Sequence, residues 1–430
     1  MEVKASIKAL LQNQVLHQSR PLQFQLGQIF YGTVQKLFPN HHAEIRLGND
    51  KLIAKLEVPL TIGTGHWLQV SSNEGETKLK LLNQNIDSVS NKSLQENLLR
   101  QLSLPNDKLG LALAGYLMKE HIPLTKEDIH KSVQLLKLTD NLELGLNTLK
   151  LMHEKNSPFN EAIFKSLIAA GTEVTTNELI KSLRTSLSFE QTTTHPVARE
   201  ILSLLQSIEQ HTSGPEKQYG RQEALMQIKQ AVKYTGLFYE RTLLNDSLSK
   251  DSFQESIKPL LVKFLHETQD FQHPKSRDFA EQLLYRMNGL QLLSTQDGPI
   301  QQMIYELPIN IAGHQTELTM QWSGKKTAEG KINPDFCRIV FYLELEHLKE
   351  TVIDMQVQNR VVTINIINEN NSMKRVAEQL LPLLKSGLKE MDYHLSAVFF
   401  KQPESSPKQK ENTSDYFQKS RSYNGVDIRI

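Results

Sequence analysis

The chain has 430 residues, with 49 lysines and arginines against 48 acidic residues, and 39% of it is hydrophobic. The length exceeds one ordinary domain, so two or three are expected, and the charge balance gives no basic character that would point to nucleic acid or an anionic membrane. A single cysteine, Cys337, excludes an internal disulfide and a cysteine-cluster metal site.

Residues 1–20 lack the apolar core and small-residue cleavage site of a secretory signal. No stretch reaches the roughly 18 apolar residues of a membrane helix. The expectation is a soluble, cytoplasmic protein without membrane insertion. The lone cysteine fits that reducing compartment. A type III export route, which needs no hydrophobic leader, stays open.

Residues 1–85 read as a small β-barrel. Short alternating runs at 27–34 (GQIFYGTV), 43–47 (AEIRL), 52–58 (LIAKLEV), 66–70 and 78–82 each place one face inward. Between them lie turn residues: Pro39-Asn40, Gly48-Asn49-Asp50, Gly63-Thr64-Gly65 and Asn73-Glu74-Gly75. Five short strands in so few residues suggest closure into a barrel. Its aromatic residues Phe30, Tyr31, Phe38 and Trp67 are read as packing rather than as a ligand platform.

Residues 88–295 read as an all-α region. Leu109, Leu113, Tyr116 and Leu117 fall at helical spacing, as do Ile129, Val133 and Leu136, then Leu142, Leu146 and Leu149. An internal echo appears at an offset of 34 residues. The run LMKE at 117–120, Pro123 and IHKS at 129–132 returns as LMHE at 151–154, Pro158 and IFKS at 163–166, with a one-residue slip at the proline. Two copies of a helical hairpin are the natural reading, with Thr125 and Asn160 as helix caps. A linker is expected at 210–220.

Residues 300–402 read as an α+β domain. Alternation runs along YELPINI (305–311) and LTMQW (318–322), then through Ile339 to Leu345, Ile353 to Val357 and Val362 to Ile366. From Met373 to Met391 the period switches to that of a helix, and a strand at 395–400 closes the domain. Ile364 and Leu384 are both expected in its core, and Pro382 is expected to kink the helix. The tail, 403–430, is expected to be disordered.

This third zone resembles the C-terminal domain of flagellar hook-length control (FliK-type) proteins. The likeness rests on the Leu343-Glu344-Leu345-Glu346-His347-Leu348 strand and turn, the strand pair 352–357 and 361–366, the Leu381-Pro382-Leu383-Leu384 step, and Val426-Asp427-Ile428-Arg429. The resemblance implies a non-enzymatic, protein-binding component of a type III export system. It would contact the cytoplasmic domain of an FlhB-like export gate and regulate substrate switching. It places the partner-binding site at the turn formed by Leu345, Glu346, His347, Leu348 and Lys349. The alternative is a cytoplasmic scaffold or nucleic-acid-binding adaptor using the N-terminal barrel; a basic, aromatic-lined barrel face would favour it and a neutral face would favour the first reading.

No catalytic, cofactor or metal site is expected. Ser323-Gly324-Lys325-Lys326-Thr327 lacks the upstream glycine of a phosphate loop. His41-His42 has no acidic or cysteine partner at ligand spacing, and Cys337 reads as a packed small side chain.

Overall fold

The computed structural model describes residues 24–72, 76–82, 91–189, 195–212, 221–236, 256–268, 274–294, 300–311, 314–327, 331–370 and 372–403. Residues 1–23, the turn at 73–75, positions 213–220 of the expected linker and the tail from 404 onward lie outside the described residues. The protein is multidomain. It divides into two compact units, residues 11–168 and a second with residues 169–430 as its body, so the division passes through the helical stretch read at 88–295.

In the first unit, strands β1 (Gln28–Phe38), β2 (His42–Leu47), β3 (Asp50–Leu56), β4 (Gly65–Ser72) and β5 (Lys78–Leu81) pair in the order β2-β3-β5-β4-β1. A further β1–β2 pairing closes the ring into a five-stranded barrel. Closure removes the sheet edges except at the start of β1, where Gln28 and Ile29 lie outside its pairing with β2. Phe30, Val34, Ala43, Ile45, Ala54, Leu68 and Leu79 fill the interior, as the alternation predicts. Gly32 is needed inside β1, because a Cβ there would lie 2.5 Å from Ile45 Cγ2.

Helices α1 (Asn91–Gln101) and α2 (Lys108–Glu120) follow. Trp67 Nε1 donates to the Leu94 carbonyl at 3.1 Å, which ties the barrel to α1. A two-residue strand, β6 (Leu124–Thr125), adds to β1.

The 34-residue echo is visible atom by atom in α3 (Lys126–Leu136), α4 (Leu142–Glu154) and α5 (Glu161–Gly171). Thr125 Oγ1 accepts from the Asp128 amide at the start of α3, and Asn160 Oδ1 accepts from the Ile163 amide at the start of α5. Ser132 and Ser166 each donate to the carbonyl four residues back. Lys131–Glu127 and Lys165–Glu161 form the same ion pair at the same offset.

In the second unit, helices α6 (Thr176–Phe189), α7 (Pro196–Thr212), α8 (Arg221–Thr235), α9 (Ile257–Glu267) and α10 (Pro274–Leu293) precede a six-stranded sheet. The sheet consists of β7 (Ile300–Ile311), β8 (His314–Lys326), β9 (Ile332–Leu345), β10 (Lys349–Gln358), β11 (Val361–Ile367) and β12 (His394–Lys401). Strands β7 to β11 form an antiparallel meander, and β12 returns parallel to β11 after helix α11 (Met373–Glu390).

The register aligns Met303, Trp322, Ile339, Met355, Ile364 and Val398 across all six strands. Tyr305, Met320, Phe341, Ile353, Ile366 and Phe400 make the next row of the same apolar face. Ala231 and Val232 of α8 pack on this face with Leu307, Ile309, Leu318 and Leu343. Leu388 of α11 packs with Val362, Ile364 and Val398.

The opposite face of β7 is also covered. Glu306 there is buried and bonded to α6 and α10. The alternation along YELPINI therefore does not separate core from solvent: both faces of β7 are interior.

Two expectations for the C-terminal domain divide. Ile364 is buried, at 7% exposure, whereas Leu384 is exposed at 38%, because α11 turns only part of its apolar arc onto the sheet. Helix α11 runs through Pro382 as one element, Met373 to Glu390.

Candidate interaction surface

The residues that sequence reasoning searched for chemistry sit in ordinary structural places. Ser323 to Lys326 belong to strand β8 and form no phosphate-binding loop. His42 at the barrel surface is partnered by the Glu76 carboxylate, which holds the imidazole above its usual pKa, with the Pro39 carbonyl adding to the effect. Cys337 is buried in β9 among Ile332, Val357 and Val362, and burial pushes its thiol up, away from thiolate character. Among the described residues there is no cluster of three or more metal-ligating side chains.

Phe30 and Trp67 are fully buried in the barrel unit. From residue 24 to 82 the sequence carries six lysines and arginines (Lys36, Arg46, Lys51, Lys55, Lys78, Lys80) against five acids (Glu44, Asp50, Glu57, Glu74, Glu76). Tyr31 is half-buried and Phe38 exposed, so two of the four barrel aromatic residues named from the sequence reach the surface.

The most polar buried site lies in the second unit and was not foreseen. Arg286 of α10 forms a two-pronged pair with Glu306 of β7, Nε to Oε2 at 2.8 Å and Nη2 to Oε1 at 2.6 Å. Its remaining nitrogen donates to the Ala169 carbonyl at 2.8 Å. Glu306 Oε2 also accepts from the amide and hydroxyl of Thr176, while Glu317 Oε2 on β8 accepts from the Asn177 amide at 2.8 Å. Two sheet carboxylates thus cap the first turn of α6, where backbone amides lack intrahelical acceptors.

One guanidinium cannot neutralise two enclosed carboxylates. Burial, and then the neighbouring Glu306 charge, push the Glu317 carboxyl up to about 8, so it is protonated at neutral pH. The cluster is fully paired and offers no open position to a substrate. It works as a clamp holding α6 and α10 to the β7–β8 hairpin.

The turn expected as a partner-binding site joins β9 to β10. Leu345 and Lys349 pair at its base, and Glu346, His347 and Leu348 form its tip. Lys349 adopts a left-handed backbone (φ 56°) to close it. Glu346, His347 and Lys349 are exposed, Leu348 is half-buried, and Leu345 packs inward against the α8 side of the core.

The buried Asn368, one residue beyond β11, fixes this turn. Its Nδ2 donates to the carbonyls of Leu348 (2.7 Å) and Glu350 (2.8 Å) and to Thr351 Oγ1 (2.8 Å). Its Oδ1 accepts from the Asn370 amide, and Asn370 Oδ1 in turn accepts from the amide of Ser372, the residue before α11. One asparagine thereby joins the turn to the start of α11.

Helix α11 contributes no fully buried residue. Met373, Ala377, Leu381 and Leu388 are half-buried. Val376 (58%), Leu380 (58%) and Leu383 (71%) stand open, with Leu384 beside them. These positions follow the i, i+4, i+7, i+8 spacing of a helical stripe. An exposed run of large aliphatic side chains on one helix is the usual mark of a contact surface. The sequence announced the stripe through its 3.6 period, but periodicity cannot tell which part of the arc another element covers.

The chain is similar to "Uncharacterized protein YlqG" of Bacillus subtilis (strain 168), with 38% identity over 145 residues, 34% of this chain and 24% of that relative. The chain therefore spans about a quarter of that relative's length. Compared with known protein families the chain matches none, and no solved structure matches it. Among the described residues no helix is long and apolar enough to cross a membrane.

Proposed function

We propose that this chain is a non-enzymatic, protein-binding component of a flagellar-type export system, resembling hook-length control proteins, and that its C-terminal sheet contacts the cytoplasmic domain of an FlhB-like gate to regulate substrate switching. The observation that carries this reading is the open aliphatic stripe of α11, joined through Asn368 to the exposed turn Leu345–Lys349. A surface of that kind serves recognition, and recognition is what the family resemblance asks of it.

The test is calorimetric titration of the full chain with an FlhB-like cytoplasmic domain. Saturable binding is expected, weakened at least about tenfold by Leu348→Asp combined with Lys349→Glu. No binding, or binding indifferent to those changes, overturns the reading or its placement at the turn.

A further inference from the structure

Beyond the proposed function, and in the other unit of the chain, we infer that the outer face of barrel strands β1, β2, β3 and β5 binds single-stranded nucleic acid.

The first argument is where the cations fall. Ala43, Ile45, Ala54, Leu56 and Leu79 belong to the barrel core, so the residues that alternate with them point outward. The register then sets Phe38, His42, Lys55 and Lys78 in one row across the four strands. Beside that row run Lys36, Glu44 and Ile53, and next to these Thr33, Arg46 and Lys51. Lys80 follows Lys78 on the same side of β5. All six cations between residues 24 and 82 therefore share one side of the barrel, although the segment as a whole is nearly neutral.

The second argument is that the acids on this side are already engaged. Glu44 pairs with Lys51 at 3.2 Å, and Glu76 pairs with His42. Lys55 and Lys78 lie near the Glu76 carboxylate without pairing to it. Asp50 and Glu57 sit at the two ends of β3. Among the described residues, Lys36, Lys55, Lys78 and Lys80 have no ion-pair partner. Four such ammonium groups on one small face attract a polyanion.

The third argument is what lies between the cations. Ile53 is 62% exposed and Phe38 is 40% exposed. Cations interleaved with open apolar and aromatic side chains follow a phosphate chain while its bases stack. A duplex keeps its bases inside and offers nothing to Phe38 or Ile53. A single strand uses both features of the face.

Strand order points to the same place. Strand β1 pairs with both β2 and β4, and β3 runs parallel to β5. This is the connectivity of OB-type barrels, whose ligands lie across strands 2 and 3. Such barrels hold more than one class of ligand, so the fold alone does not choose. The unpaired lysines and the open Phe38 of this chain do.

The experiment is fluorescence anisotropy with the full chain and two labelled single strands of about 12 nucleotides, one of thymidine and one of uridine. A duplex and a polyglutamate of similar charge are titrated alongside. At least one single strand is expected to bind about tenfold or more tightly than either control. Its logarithmic salt slope is expected near about −3, as when roughly four phosphates are neutralised. Lys55→Ala combined with Lys78→Ala is expected to halve that slope, to about −1.5, and to weaken binding about tenfold at low salt. Phe38→Ala is expected to weaken binding about fivefold and leave the slope unchanged. These positions are open to solvent, and the circular dichroism spectrum should stay intact.

No binding of either strand, or binding that none of these variants weakens, overturns the inference. So does equal binding of polyglutamate, which would make an acidic protein the partner, or equal binding of the duplex. The Leu348→Asp, Lys349→Glu chain is expected to bind the single strands unchanged, so failure here and failure of gate binding fall on different residues. Loss of strand binding in that chain would place the nucleic acid outside the barrel and also overturns the inference.

Discussion

The barrel of the first unit and the sheet of the second are built from similar alternating strands but solve the edge problem in opposite ways. The barrel closes on itself through the β1–β2 pairing and keeps Phe24, Phe30 and Trp67 inside. The sheet stays open at β12, is locked on one face by a buried ion pair and is only partly covered on the other. An open sheet with an incompletely covered apolar face retains unburied surface, and this is where contact is expected.

The contrast is most easily broken at the clamp. Arg286→Ala leaves Glu306 buried without its counter-ion, and is expected to destabilise the second unit by about 3–5 kcal/mol. Chemical denaturation followed by probes in each unit should show that loss in the sheet unit and an unmoved barrel transition. A shift of both together would mean that the two units unfold as one.

Next in size is Ile364→Ala, expected to cost about 2–4 kcal/mol because the side chain is enclosed. Leu384→Ala, on the same face but half open, should cost less than about 1 kcal/mol. Equal losses would place α11 more deeply than its exposure indicates.

The pH dependence of the two units should also differ. Glu317 is held near 8 in the folded chain, above the ordinary carboxylate value of 4.5. The fold therefore favours its protonated form. That contribution is complete below the unfolded value and is lost as pH rises through about 8. Thermal unfolding of the sheet unit should weaken between pH 5 and pH 9 more than that of the barrel unit, and Glu317→Gln should remove the excess. The smallest change belongs to the repeat: Thr125→Ala and Asn160→Ala should each cost the barrel unit about 1 kcal/mol, as lost helix caps do.

Much of the fold was legible because period and punctuation act locally. Alternation marked all five barrel strands and the strands of the C-terminal sheet, and the 34-residue echo marked two equivalent hairpins down to their caps. What stayed hidden depended on partners remote in sequence. Leu124–Thr125 is too short to show a period and is a strand only because β1 offers an edge. Glu306 alternates with Tyr305 and Leu307 and so reads as solvent-facing, yet it is interior because Arg286 arrives from another helix. Helix α11 reads as a core helix because seven apolar residues share its arc, although the sheet covers only part of that arc. The turn at Leu345–Lys349 was placed correctly as a turn, but its anchor, Asn368, is an ordinary polar residue until the hydrogen bonds reveal it.

The carboxylate caps on α6 also impose a schedule. The amides of Thr176 and Asn177 find their acceptors 130 and 140 positions later in the chain. A ribosome adding about 5–20 residues per second needs roughly 7–28 s to supply them. Throughout that interval the amides of Thr176 and Asn177 lack their sheet carboxylates and Arg286, once made, has no Glu306 to pair with. The barrel core is made of residues 24–79 and the first unit ends at residue 168, so its parts are all synthesised before the second unit's sheet. The second unit is thus a late-closing body, slow in the manner of folds dominated by distant contacts, and it stays loosely held until its β7–β8 hairpin has emerged.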